Sequence, residues 1–424
     1  MATGISTGKW KGDKIISYAE AVGGIDLSYQ GKKPPGIILA TPPASLVVKQ
    51  VFNCSTGENR LIHGDNLAVM AGLLQDSAVC GKVQLCYIDP PYSTQSVFHS
   101  RNEKAAYMDL LKGPEYLEFL RERLILIREL LADSGSVYVH LDETMAFHAK
   151  IICDEIFGTK NFRNWITRKK CNTKNYTKHQ FGDISDYILF YTKTDDYVWN
   201  RPCIGWTEET MLREYSYIDS NGRRFKKVPI HAPGERNGET GKLWKGMMPP
   251  KGKHWQYVPS KLDQLDEKGE IFWSKNGNPR RKIYFDTKTE GIPIQDIWMD
   301  FKDPHNQNIK ITGYPTEKNF EMLKMIVEAS SGKGDLVLDC FTGSSTTLEA
   351  AEETGRHWIG IDSSVEAIEV STKRLLYGRE RMGDYVKTKK AATQLDMELE
   401  TKTPAQFQLI TAGPATMEDT RVRV

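Results

Sequence analysis

The chain has 424 residues, of which 39% are hydrophobic and 26% charged, enough for two domains or for one large domain carrying an insertion. No run of about 18 apolar residues is present, which excludes a membrane-spanning helix, and seven scattered cysteines without metal-ligand spacing argue against a disulfide framework and against structural zinc. The formal net charge of +2 is too small to name or exclude a partner.

Residues 1–50 are rich in Gly and Pro and show few clear elements. Gly4 to Lys9 has the wrong spacing for a phosphate-binding loop, and the opening MATGISTGKWKGDK lacks an apolar signal-peptide core, so a cytoplasmic protein is expected. An α/β rhythm begins at residue 51. Arg60–His63 reads as a strand running into Gly64-Asp65-Asn66, with a helix over Leu67–Leu74. Val83–Ile88 (VQLCYI) is an apolar run of the kind buried on both faces of a parallel sheet. It stops at Asp89-Pro90-Pro91-Tyr92, because two prolines cannot continue a central strand. A helix is predicted over Pro114–Ala132, a strand over Ser136–Leu141, a helix over Glu143–Phe157 closed by Gly158, and a strand over Asp186–Tyr191.

From about Thr194 to Asp300 no period is sustained. Residues 161–300 hold 25 Lys and Arg against 18 Asp and Glu, a local net of +7 in a chain otherwise at −5, together with seven of the nine tryptophans. Such a basic, aromatic segment is either a footprint for a polyanion or an ordinary solvated surface. The rhythm then returns with a helix over Thr316–Ala329, a strand over Asp335–Cys340, a helix near Thr346–Glu353, a strand over His357–Ile361 and a helix from Ser364. The last 40 or so residues are polar and read as peripheral. Alternation of this kind argues for an α/β fold, a doubly wound, mostly parallel sheet with an inserted α+β region, whose ligands bind beyond the carboxyl ends of the strands. Asp65, Asp89, Asp339 and Asp362 all fall at or near such ends.

Two segments carry chemistry. Leu338-Asp-Cys-Phe-Thr-Gly-Ser-Ser-Thr-Thr347 passes from strand to small-residue loop to helix, and Asp362 follows Gly343 by 19 residues. Gly343 permits close backbone approach and the helix start offers amide donors, while the carboxylate suits ribose hydroxyls. The loop has too few glycines for a pyrophosphate cradle. It fits a nucleoside with an amino-acid tail, such as S-adenosylmethionine, whose sulfonium favours carboxylates such as Asp339; a plain strand–helix turn is the alternative. In the second segment, the Asp89 carboxylate and the Pro90 carbonyl can accept both hydrogens of an aromatic amine, raising its nucleophilicity, with Tyr92 stacking on a base swung out of the helix; a Pro-Pro turn capped by the aspartate is the alternative, less suited to a position directly after a buried strand.

DPPY after an apolar strand, with DxFxGS and Gly-Ile-Asp far downstream, resembles the amino-group DNA methyltransferases of restriction–modification systems. The order of motifs is similar to that of the permuted beta class, which includes type III modification subunits; the resemblance covers about residues 58–192 and 293–378. It implies a Rossmann-like catalytic domain over 51–192 and 293–380 that uses S-adenosylmethionine, a target-recognition insertion over 193–292, and extensions at 1–50 and 381–424. It further implies catalytic roles for Asp89, Pro90, Pro91 and Tyr92. Cofactor contacts are expected from Asp65, Asn66, Pro315, Thr316, Lys318, Asp339, Phe341, Gly343, Ser344, Ser345, Thr346 and Asp362, with no metal. Arg168, Lys169, Lys170, Arg223, Arg224, Lys226, Lys227, Arg280, Arg281 and Lys282 are expected to meet DNA; Trp244, Trp255 and Trp273 read as packing the insertion's own core, the alternative being that one of them wedges into the gap left by a flipped base. Ser345 departs from the family's second glycine and Asn319 from its proline. Asp89, rather than serine, tilts the target toward adenine N6, with cytosine N4, a non-catalytic DNA-binding subunit, and RNA or protein substrates as rivals. Duplex DNA is the expected partner, and a homodimer and a separate nuclease subunit, in a prokaryotic or phage setting, are possible further ones. His140 and Asp142 read as a strand-end pair near the base pocket.

Overall fold

The computed structural model describes residues 27–53, 58–91, 97–99, 105–108, 113–172, 179–286, 291–303, 317–378 and 404–413. The chain divides into two compact units, residues 1–202 with 295–424, and residues 203–294.

The first unit is built on a ten-stranded sheet. In chain order its strands are β1 (Ser45–Phe52), β2 (Arg60–His63), β3 (Val83–Ile88), β4 (Leu131–Leu141), β5 (Phe162–Lys169), β6 (Ser185–Thr192), β7 (Ile297–Trp298), β8 (Leu336–Asp339), β9 (His357–Asp362) and β10 (Phe407–Gly413). Their order across the sheet is β1-β10-β2-β9-β8-β3-β4-β6-β5-β7. The six strands from β10 to β4 run parallel, and antiparallel pairings bring in β1 at one side and β6 and β5 at the other. All six β3 residues are buried, as an uninterrupted apolar run requires in a sheet covered on both faces. The polar exception, Gln84, is satisfied by the Ser134 carbonyl and hydroxyl at 2.7 and 3.0 Å. Burying each large aliphatic side chain of such a strand stabilises the fold by roughly 1.5–3 kcal/mol.

Among the described residues of this unit, six helices of eight or more residues accompany the sheet, α1 (Asn66–Leu73), α2 (Pro114–Leu130), α3 (Ala146–Phe157), α4 (Phe320–Ser330), α5 (Thr346–Glu353) and α6 (Val365–Tyr377), besides a short one at Pro35–Leu39. Their caps explain their limits. The Asp65 carboxylate accepts from the N–H groups of Leu67 and Ala68, and the Ser364 hydroxyl from that of Ala367. Gly158 closes α3 at φ +87°. Two starts differ from expectation. α3 begins at Ala146 rather than near Glu143, because Asp142 turns the chain by accepting from Thr144 N–H. α4 begins at Phe320 because Asn319, standing where the family pattern has proline, caps it through Met322 N–H at 3.0 Å. No helix among the described residues is long and apolar enough to cross a membrane.

The C-terminal segment read as peripheral contributes β10, laid between β1 and β2, with Phe407 fully buried and stacked on Phe52 at 4.7 Å between ring centroids. At its far end the approach to β2 is tight: a Cβ on Gly64 would lie 2.4 Å from the Ala412 Cβ.

The second unit starts at Cys203 rather than at 193, since residues 193–200 are bonded into the first: Lys193 N–H to the Gly135 carbonyl, Asn200 N–H to that of Ala329. It contains a four-stranded antiparallel sheet built from Tyr217–Ile218, Arg224–Pro229, Pro279–Tyr284 and Ile271–Trp273. A small core of Ile230, Trp244, Trp255, Leu262, Leu265 and Ile271 lies within it. Trp244 and Trp255 are each 2% exposed and serve packing, whereas Trp273 stacks on Trp244 from outside the core and is 37% exposed.

Candidate active site

β3 continues through α2 to β4 on one side of the sheet, whereas β8 continues through α5 to β9 on the other. The crossovers diverge between β3 and β8, and a crevice at the carboxyl ends of two such strands is where open α/β sheets take ligands. Register pairs Cys86 with Leu338, so Asp89 and Phe341, each three residues further on, leave the sheet side by side. The two sequence motifs meet here.

The loop after β8 is fixed from several directions. Asp339 Oδ1 accepts from Phe341 N–H at 3.0 Å, and Thr342 donates to the Asp339 carbonyl. Gly343 sits at φ +49°, and its N–H donates to Asp362 Oδ2 at 2.8 Å while Ser364 N–H reaches Oδ1. Asp362 therefore ties the loop to β9 in addition to any ligand contact. Ser345 adopts a left-handed φ of +61°, unfavourable by about 1–2 kcal/mol for a residue with a side chain. Its hydroxyl offsets this by donating to Ser371, which donates onward to the Gly343 carbonyl. Arg374, 1% exposed, bonds the Ser344 carbonyl and the Thr346 hydroxyl and pairs with Glu349 at 2.6 Å and Glu317 at 3.2 Å. The side chains of Ser344, Ser345 and Thr346 are thus turned into the protein; the loop's ligand-binding capacity lies in its backbone. Ser371 and Arg374, three residues apart on α6, were not singled out from sequence.

Asp339 is buried and its carboxyl is pushed up to about 7, by desolvation first and then by the charges of Asp89 and Asp362, against hydrogen bonds from Thr347 and Phe341 N–H. Folded Asp339 holds its proton up to about pH 7, whereas an unfolded aspartate releases it near pH 4. Its stabilising contribution is therefore full below about pH 4 and is lost as pH rises through 7. Such a carboxyl suits a cationic ligand, which would favour its ionised form. We expect affinity for S-adenosylmethionine to rise from pH 5 to 7 and the Asp339→Asn variant to flatten that rise in titration calorimetry; equal slopes would detach Asp339 from the cofactor.

On the β2 side, Asn66 donates to the Cys340 carbonyl at 2.7 Å and accepts from Arg123 Nε at 2.6 Å. Arg123 also reaches Asp65 at 3.4 Å and lies 3.6 Å over the Phe119 ring, which neighbours Phe341. Asn66 thereby links the β2 turn to the loop, and Asp65 remains largely exposed.

Around Asp89 stands a cluster that sequence did not reveal. Pro90 is buried and Pro91 partly so. Asp89 Oδ2 is 2.8 Å from Lys318 Nζ, and Oδ1 is 4.0 Å from His140 Nδ1. His140, fully buried, bonds the Tyr87 hydroxyl at 2.6 Å, and its Nε2 pairs with Asp186, not Asp142, at 2.8 Å. Arg168 closes the chain, paired with Asp186 and Asp303 and donating to the Phe301 carbonyl. Burial works against the Asp186 charge, but His140 and Arg168 hold its carboxyl well below the usual range. Arg168 is 0% exposed, which corrects its assignment to DNA: on β5 alternate side chains face opposite sides, and 168 points inward. Lys169 is partly exposed and Lys170 pairs with Asp183. Tyr92, Pro315 and Thr316 lie outside the described residues.

In the second unit Lys227 and Lys282 are cross-strand neighbours, with Arg280 opposite Pro229. Lys227 rests 3.5 Å from the ring centroids of both Tyr217 and Phe272, and Arg223 lies over Tyr284. Lys226 lies near Tyr215, Arg281 near Tyr257 and Glu270, and Arg224 is partly exposed. Cations and aromatic rings thus interleave on one sheet.

A protein-family model described as DNA methylase matches residues 83–373. The chain is 49% identical over 368 residues to the type II methyltransferase M.EcaI of Enterobacter cloacae, covering 86% of this chain and 80% of that one. It is 25% identical to the type III restriction-modification enzyme StyLTI Mod subunit of Salmonella typhimurium, over 80% of this chain and 57% of the relative. Among solved structures, that of an M1.HpyAVI-SAM complex aligns with a TM-score of 0.40 at 16% identity, over 74% of this chain and all of that one.

Proposed function

The chain belongs to the DNA methylase family, and from that premise we propose that it transfers a methyl group from S-adenosylmethionine to the N6 amino group of adenine in duplex DNA. The observation that carries this reading is the adjacency of the Asp89-Pro90 corner and the Cys340–Thr346 loop at the sheet's switch point. When bound, the cofactor supplies an electrophilic methyl carbon.

The chain's own residues do the rest. The Asp89 carboxylate and the Pro90 carbonyl accept hydrogen bonds from the two amino hydrogens, drawing the nitrogen toward tetrahedral geometry and localising its lone pair. Because both acceptors sit at a proline-stiffened strand end, little reorganisation is needed as charge develops. Asp89 is also placed to take the proton that the methylated nitrogen sheds. The amine must leave the base stack to reach this corner, so the reaction requires a flipped base, which Tyr92 would stack upon. Basic side chains of residues 203–294, Lys227, Lys282 and Arg280 foremost, would supply phosphate and base contacts. The protein would act as the modification component of a restriction–modification system.

Duplex DNA incubated with the protein and methyl-labelled S-adenosylmethionine, then digested to nucleosides, is expected to carry label on N6-methyladenine. Label on N4-methylcytosine would overturn the adenine assignment, and label confined to RNA or protein would overturn the substrate.

A further inference from the structure

Lys318 is buried, 8% exposed. An ammonium in that position persists only among carboxylates. Asp89 is bonded to it at 2.8 Å, and Asp303 and Asp186 act on it from further away. Burial would drive the proton off, but these three charges outweigh both burial and the opposing Arg168 and raise the lysine above its ordinary range. Its neighbours in sequence are anchored too. Glu317 pairs with Arg374, and Asn319 both caps α4 and donates to the Lys302 carbonyl. The ammonium is therefore delivered to Asp89 from a fixed backbone.

We propose that Lys318 is a positioning residue for methyl transfer: by holding Asp89 Oδ2 it sets the orientation in which the carboxylate receives the substrate's amino hydrogen. An ionised carboxylate has about four acceptor sites, so one ammonium leaves capacity for the base. From the other side His140, fixed by Tyr87 and Asp186, stands 4.0 Å from Oδ1 and limits rotation. Sequence resemblance groups Lys318 with the cofactor contacts, whereas the ion pair assigns it to the amine acceptor. The inference rests on the reading of Asp89 as that acceptor, and it adds a residue that need not touch base or cofactor.

Misplacing a reacting group by about 1 Å lowers rates by up to about 100-fold. In the full chain, Lys318→Met, which keeps the length and removes the charge, should lower the single-turnover rate of methyl transfer at saturating S-adenosylmethionine and DNA by roughly 10- to 100-fold. Affinity for S-adenosylmethionine, measured by calorimetry, should be unchanged, and Lys318→Arg should recover part of the rate. A Lys318→Met protein with the wild-type rate would overturn the proposal. So would a defect that appears only as weaker cofactor binding and vanishes at saturation, or an arginine variant as slow as the methionine one. Wild-type protein that labels no DNA would remove the functional reading itself and this inference with it.

Discussion

Replacing Asp89 by alanine is expected to slow the single-turnover methyl transfer by about 10³-fold while S-adenosylmethionine still binds. A preorganised acceptor of this kind is worth roughly 10²–10³ in rate, about 3–4 kcal/mol of barrier. The upper end applies because, in the proposed reaction, Asp89 would serve both as acceptor of an amino hydrogen and as proton sink. The deletion also leaves Lys318 without its nearest carboxylate, 2.8 Å away, so the residual active site carries misplaced positive charge where positive charge develops. The Cys340–Thr346 loop is held by Asp362, Ser371 and Arg374 through hydrogen bonds that do not involve the Asp89 side chain, and this is why binding should survive. An interaction made only in the transition state appears in the rate and not in ground-state affinity. Wild-type turnover in the alanine variant would take Asp89 out of the mechanism.

Arg374→Met should be the most damaging change away from the chemistry, with an expected loss of about 3–5 kcal/mol of unfolding free energy. Arg374 is 1% exposed and pairs with Glu317 and Glu349, which are themselves buried. Removing the guanidinium takes the paired cation from two buried carboxylates and a hydrogen-bond donor from the Ser344 carbonyl and the Thr346 hydroxyl. The transition should fall by about 10 °C in a thermal melt, and cofactor affinity should fall with it because the loop relaxes. Adding Glu349→Gln should restore part of the stability, since a neutral amide tolerates burial better than a carboxylate that has lost its guanidinium. A melt within a degree of wild type would mean that the loop stands without this tether.

The parallel heart of the sheet was legible in the sequence because its strands are buried on both faces and therefore carry continuous apolar runs, as in Leu85–Ile88 and Trp358–Ile361. The helix limits at Asp65, Gly158 and Ser364 were legible because capping is local chemistry. β5 and β10 were not: each mixes polar and apolar residues without a clean period, and β10 owes its place to strands more than 300 residues earlier. The motifs around Asp89 and Asp339 announced themselves through rigid or permissive residue types at strand ends. The cluster behind Asp89 did not, because Tyr87, His140, Arg168, Asp186, Asp303 and Lys318 come from separate segments and meet only in three dimensions. Arg168 beside Lys169 and Lys170 looks like part of a basic patch until strand alternation sends it inward.

β1 has β10 as its hydrogen-bonded neighbour in the sheet, and β10 in turn lies against β2. A nascent chain leaving the ribosome therefore exposes the open edge of β2, and holds Ser45–Phe52 without a pairing partner, until residues 407–413 emerge. This side of the sheet is completed only by a segment far downstream, and β10 decides whether β1 can dock.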